Sequence, residues 1–350
     1  ALPLAAFEQY EKMRDEKMSK IPPGVQCSRN MTLAFSLEFM GDDLCIKKAR
    51  SIQEVDGSVA VSPSATAYFL TRWPDNAAAR HYIRRVAKAY GGLATQVFPF
   101  DVFETAWSLW NLFLADFGTR SGQPAQHIED LKILWDRGEG AGFSSNYSVT
   151  DADVSSVVFR VLRLAGLEPD PGPIYQFELE DYFICYPFER NPSTSANIHA
   201  LEALKGVDRY RTDKVLKWLR GSQVDGRYWM DKWHASPYYP TAHAVIALIG
   251  VDHDLATSAV QWILDTQRPD GGWGFYNRST AEETAYCMQA LSLYGRCVAP
   301  VHQEVFERGK ESLLAHRGEM PALWIGKCLY TPVRVVESAV YSALTMTRIH

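Results

Sequence analysis

Two aspartates, Asp151 and Asp153, stand where a polar loop turns into an apolar helix: Thr150-Asp151-Ala152-Asp153-Val154-Ser155-Ser156, then Val157-Val158-Phe159. Paired carboxyls beside greasy surface can do acid chemistry. Burial favours the neutral form, and a second carboxylate nearby pushes the same way, so one of them can serve as a strong general acid. The positive end of the helix opposes both by favouring the ion. The plain alternative is a helix cap, with Thr150 or Asp151 satisfying a first-turn N–H and Asp153 facing water. What the chain packs around the pair decides between the two.

With 350 residues, 47% hydrophobic and 22% charged, the chain can build one large core or two modest ones. A formal net charge of -5 argues against a nucleic-acid binder. No apolar run reaches the roughly 20 residues that span a bilayer. The opening Ala1-Leu2-Pro3-Leu4 lacks the basic flank and long apolar core of a secretory signal, and Ala1 in place of Met leaves room for residues before it. The six cysteines (Cys27, Cys45, Cys185, Cys287, Cys297, Cys328) form no CxxC pair and no zinc spacing. They predict reduced thiols in a cytoplasmic protein.

A turn recurs along the chain. Gln53-Glu54-Val55-Asp56-Gly57 returns as Gln267-Arg268-Pro269-Asp270-Gly271, with a degenerate copy in Gln223-Val224-Asp225-Gly226. Hydroxyl-rich helix openings follow at Ser62, Ser193, Thr241 and Thr280. Helical patterns cover residues 79–90, 102–117, 196–204, 213–219, 242–249, 255–266, 284–294 and 336–347, and no run alternates with period two. The expectation is an all-α protein of helical hairpins that close into an α/α-barrel or toroid, with inner-helix N-termini converging. The connector at 118–125 suggests a boundary, giving domains at 1–122 and 123–350.

Several longer stretches carry a family resemblance: residues 56–67 (DGSVAVSPSATA), 97–104 (VFPFDVFE), 182–195 (YFICYPFERNPSTS), 229–241 (WMDKWHASPYYPT) and 324–330 (WIGKCLY). Together they make the chain resemble a class II terpene cyclase of the bacterial copalyl diphosphate synthase kind, from about residue 17 to 346. The resemblance implies two α/α-barrel domains, a partial γ-type domain over 1–122 and a β-type barrel over 123–350 carrying the acidic motif. It implies a substrate, an isoprenoid diphosphate such as geranylgeranyl diphosphate, cyclised by protonation with the diphosphate retained. Magnesium is implied as cofactor. No nucleic acid and no membrane span are expected, and a homo-oligomer is left open. By the family's Asp-x-Asp-Asp motif, Asp153 takes the place of the proton donor and Asp151 that of its companion.

This chain departs from the family at three places. The motif's last acid is Val154, which dries the site and removes an orienting partner. The His and Asn that end the reaction in plant relatives are replaced by Phe35 and Gln96. The family's further N-terminal stretch, which completes the γ barrel, is either missing or lies outside this sequence.

Ring faces steady cations without trapping them, so Trp233 and Tyr238 become candidate substrate contacts, with core packing as their plain alternative. His234 and His243 are candidates to orient the acid or act as bases. Lys327 and Arg29 are candidate diphosphate contacts, against ordinary surface charge. Trp273, in the repeated turn, reads as core, and Glu282-Glu283 as first-turn helix acids. Asp42-Asp43 does not continue into a DDxxD cluster, and no P-loop, GxGxxG or zinc pattern occurs. A non-catalytic cyclase homologue is the competing reading. An α/α-barrel glycosidase, which needs two carboxyls facing one cavity at a defined separation, is remote.

Overall fold

The computed structural model describes residues 8–21, 28–43, 50–117 and 124–347. The chain forms two compact units: residues 1–99 with 146–149, and residues 100–145 with 150–350. The expected boundary between 122 and 123 lies outside the described residues, as do Cys27 and Cys45. The units divide earlier, because helix Asp101–Leu114 buries Val102, Phe103, Ala106, Trp107 and Trp110 in the second unit.

In the first unit, α1 (Glu8–Met18) buries no side chain, and a kinked 3-10 segment covers Thr32–Asp43. Helices α2 (Pro63–Arg72) and α3 (Ala77–Ala89) follow, capped by the Ser62 and Asn76 side chains. Leu37, Met40, Ile52, Val59, Phe69, Tyr82 and Val86 are among its buried apolar residues.

The second unit contains α4 (Asp101–Leu114), α5 (Ala125–Trp135), α6 (Ala152–Leu164), the single turn α7 (Gly172–Tyr175), α8 (Thr194–Leu204), α9 (Arg209–Gly221), α10 (Tyr238–Leu248), α11 (His253–Asp265), α12 (Ala281–Cys297), α13 (Gln303–Ala315) and α14 (Val333–Met346). Helices α4, α6, α8, α10, α12 and α14 pack in that order, and α14 returns to α4, closing an inner ring. Helix α9 lies against α8, α11 against α10 and α13 against α12 as an outer layer. This is the expected α/α-barrel. Every residue of α10 is buried, whereas α9 buries only Thr212, Val215 and Leu219 along one stripe. The inner helices α8 and α10 are thus buried on nearly all sides, whereas α14 and the outer helices keep an exposed polar face. Among the described residues the strands form a single short hairpin, β1 (Trp324–Ile325) with β2 (Leu329–Tyr330). Two residues per strand are too few to show period-two alternation in the sequence.

The repeated turn has one physical design. In its last copy the Gln267 amide donates to the Gly271 carbonyl (2.8 Å) and to the Val305 carbonyl at the start of α13 (3.0 Å). In the first copy Gln53 donates to the Gly57 carbonyl (2.8 Å) and to Asn76 Oδ1, the cap of α3 (3.1 Å). Downstream, the backbone N–H groups of Val59, Trp229 and Trp273 donate to the hydroxyls of Thr66, Thr241 and Thr284, each on the next helix. Trp229 and Trp273 send their indole N–H to the Leu219 and Ile263 carbonyls at the ends of the preceding outer helices. The Trp273 ring is fully buried in the core. The last turn thus ties the end of one helix to the start of two others. The degenerate copy lacks the tie: Gln223 Nε2 is buried without a hydrogen-bond partner.

Glycine is required where the turn touches the next helix. Gly271 has φ +84°, and an added Cβ would lie 2.5 Å from the Arg308 carbonyl oxygen, whereas Gly250 has φ +79° with nothing within 4 Å. Gly250→Ala should cost about 1–2 kcal/mol, the left-handed penalty alone. Gly271→Ala adds a backbone clash worth about 1–3 kcal/mol more. Thermal denaturation of the two variants should show the larger loss at Gly271; equal losses would mean the turn does not depend on that contact.

Candidate active site

The site is built from the starts of neighbouring inner helices. Asp151 caps α6 with extended backbone (φ -142°, ψ 159°), and its Oδ1 accepts the Val154 N–H at 2.7 Å. Its Oδ2 accepts the Tyr186 hydroxyl at 3.4 Å. Both oxygens are engaged, and the residue is 1% exposed. Burial first pushes the Asp151 carboxyl well above the usual range, with the nearby Asp153 charge adding to it against the pull of the Val154 N–H. Asp151 is therefore a buried helix cap beside Asp153.

Asp153, on the first turn of α6, retains 14% of its side-chain surface. Its Oδ1 lies 2.5 Å from His199 Nδ1, one turn into α8. Its Oδ2 lies 3.3 Å from the Ser195 hydroxyl oxygen. Asp231 fixes that serine, accepting its N–H and hydroxyl, each at 3.0 Å. His199 Nε2 lies 2.8 Å from His243 Nδ1 on α10. The chain Asp153–His199–His243 thus crosses three adjacent inner helices.

Aromatic rings fill the ring's interior beside this chain. The Trp107 indole N–H of α4 donates to the Tyr239 hydroxyl of α10 at 3.0 Å, joining helices that are not neighbours in the ring. Trp107 stands edge-on to His199 (5.4 Å between centroids), and Trp110 covers His243 (4.5 Å). Burial pushes the Tyr239 and Tyr286 hydroxyls far up, so both stay neutral donors. Beyond Tyr239, Glu282 Oε1 gathers the Trp324 indole N–H (2.7 Å), the Tyr286 hydroxyl (3.2 Å) and His234 Nε2 (3.2 Å).

The residues singled out from sequence are scattered by this arrangement. Asp151, Asp153 and His243 come together. Trp233 lies nearby, edge-on to Tyr186 at 6.2 Å, beneath the Lys232 ammonium. His234 serves Glu282 rather than Asp153. Tyr238 points outward: its ring packs on Trp262 of α11 at 4.8 Å. Its neighbour Tyr239 takes the interior place, because α10 turns successive side chains about 100° apart. Lys327 is half-buried at the turn of the β1–β2 hairpin. Phe35 and Gln96, half-buried, and Arg29, exposed, belong to the first unit.

His199, Ser195, Asp231, Tyr239 and Glu282 were not read from the sequence as site residues. A signal for most of them exists. Ser195/His199, Tyr239/His243 and Glu282/Tyr286 are pairs four apart in inner-helix first turns, a spacing that puts both members on one face. Val154 is buried at 4%, and the groups that contact the Asp153 carboxyl are His199 and Ser195.

Residues 192–296 match the squalene-hopene cyclase C-terminal domain. Over 347 residues the chain is 39% identical to the type B diterpene cyclase of Mycobacterium tuberculosis, covering 95% of this chain and 69% of that protein. The chain belongs to the class II diterpene cyclases. It is also 34% identical over 332 residues to the ent-copalyl diphosphate synthase of a Streptomyces species, covering 89% of this chain and 63% of the relative. The solved ent-copalyl diphosphate synthase of Streptomyces platensis superposes with a TM-score of 0.81 at 31% identity, over 98% of this chain and 68% of that one. This cyclase chain therefore spans only part of the length of each of these relatives.

The state of Asp151 is open to a direct test in the cyclase. Its raised carboxyl keeps a proton that the unfolded chain releases above its ordinary value of 3.8. Folding stability from this group is full below that pH and is lost as pH climbs through the raised folded value. Asp151→Asn removes the titration and keeps a capping oxygen. The gap in Tm between variant and wild type should therefore move in the variant's favour from pH 4 to pH 8. A constant gap would show Asp151 ionising alike in both states.

Proposed function

We propose that this cyclase starts ring closure of a linear isoprenoid diphosphate by giving the terminal alkene a proton from Asp153. The observation that carries this is the division of labour in the pair. Asp151 is buried at 1% and caps its helix, while Asp153 keeps 14% of its side-chain surface and is held by groups that can steady its conjugate base. Its proton adds to one alkene carbon, and the π electrons form the C–H bond. The cation left on the other carbon is captured by the next alkene, and a final proton loss restores neutrality. The product is an isomer of the substrate, with the diphosphate C–O bond intact. An alkene is a weak base, so the donor must be neutral, positioned and kept from bulk water. Trp233 and Tyr186 offer ring faces beside the pair, which steady a cation without a lone pair that would trap it.

The named relatives act in diterpene chemistry, which supports geranylgeranyl diphosphate as substrate. Lys327 stays the second unit's candidate contact for the diphosphate. Among the described residues no three His, Cys, Asp or Glu side chains gather into a metal-holding group. Magnesium, expected from the resemblance, has no protein cage among them and fits as a counter-ion carried by the diphosphate. No helix among the described residues is long and apolar enough to cross a membrane. Cys185, Cys287, Cys297 and Cys328 are free thiols, which supports a reducing, cytoplasmic setting.

Incubation with farnesyl and geranylgeranyl diphosphates and magnesium, followed by phosphatase and mass spectrometry, tests the proposal. Wild type should yield a cyclic alcohol from geranylgeranyl diphosphate. Asp153→Asn, near-isosteric but unable to donate a carboxylic proton, should lower its formation by on the order of 10²–10⁴-fold. Only linear alcohols from wild type would sink the proposal, as would an unchanged rate in the variant.

A further inference from the structure

The His243 imidazole is buried at 2% exposure in the middle of α10, one contact removed from the acid. Its Nδ1 lies 2.8 Å from His199 Nε2, and its Nε2 is buried with no hydrogen-bond partner. Trp110 (4.5 Å), Tyr239 (4.3 Å) and Tyr286 (5.4 Å) enclose the ring and fix its plane.

We propose that His243 is a positioning residue that donates its Nδ1–H to His199 Nε2 and so holds the His199 proton on Nδ1, facing Asp153. This rests on the proposed protonation by Asp153. Burial first, and then the neighbouring His199 and His234, push His243 well below the usual histidine range, so it is a neutral ring with one proton. That proton has two places. On Nε2 it would be a buried N–H with no acceptor. On Nδ1 it meets His199 and leaves only a bare lone pair unpaired, the less rare kind of orphan.

Once His199 Nε2 accepts, a single proton on the His199 ring sits on Nδ1 and points at Asp153 Oδ1. The acid's own proton is then placed on Oδ2, the oxygen beside Ser195. When it leaves, a donor is already aimed at the carboxylate it creates, which is where preorganised hydrogen bonds act most strongly. With the opposite tautomer His199 would accept the Asp153 proton, turning it away from the substrate.

Three replacements separate this role from packing. Asn places its amide N–H where Nδ1 lies, Gln places it near Nε2, and Leu removes it. In the full chain with ¹⁵N-labelled histidines, long-range ¹H–¹⁵N spectra report each ring's tautomer, with His199 assigned by its loss in His199→Gln. Wild type and His243→Asn should show His199 protonated on Nδ1, and His243→Leu and His243→Gln should shift it to a mixture or to Nε2. Turnover should follow, with kcat about 10- to 100-fold lower for Leu and Gln at unchanged KM, and most activity kept by Asn. An unchanged His199 tautomer in His243→Gln would overturn the proposal, as would equal loss of kcat in Asn and Gln. If Leu does not fold, the Asn–Gln contrast still decides. Failure of wild type to cyclise any diphosphate would sink the cyclisation reading, while the spectra would still judge the His199–His243 bond.

Discussion

A carboxyl group buried at the start of a helix must be neutral or well partnered, and the second unit is organised around two of them. Two forces oppose each other at Asp151. Burial and mutual proximity favour the proton, whereas helix N–H groups favour the ion. The conflict is resolved by dividing the pair. Asp151 takes the Val154 N–H and the full cost of burial. Asp153, two residues on, is left to His199 and Ser195 from the adjacent helix.

That division needs a closed ring. Asp153, Ser195, Tyr239 and Glu282 each lie in the first turn of an inner helix, and only parallel starts side by side bring such turns together. The outer helices and the repeated Asp-Gly turns maintain this order. Gln267 joins its turn to α13, and Trp273 joins the same turn to α11. A tryptophan amid aromatic-rich chemistry thus serves the frame, while Trp107 and Trp110 face the histidines.

Two carboxylate clusters share the interior but differ in chemistry. Glu282 is saturated on one oxygen by an indole, a phenol and an imidazole, none of which leads to the surface of Asp153. Asp153 has fewer partners and more exposure. The contrast leaves Glu282 as a support for the Tyr239–Trp324 packing and Asp153 as the more open carboxyl.

The all-α class, the helical hairpins and the acidic pair are legible in the sequence, because each is carried by local spacing: apolar periodicity, capping hydroxyls, a recurring Asp-Gly turn, two acids two residues apart; the cyclase resemblance rests on longer stretches such as 182–195 and 229–241. Tertiary structure alone decided the partners. His199 lies 46 residues from Asp153, and its spacing from Ser195 marks a shared helix face without recording what that face meets. Tyr238 and Tyr239 are chemically alike in sequence, and only the seating of α10 between Trp262 and Trp107 turns one outward and the other in. The boundary drawn at a polar connector missed the division seen in the fold, since membership of a unit follows from what a helix packs against. The helix Asp101–Leu114 is held by α6 and α14, and no loop composition records that contact.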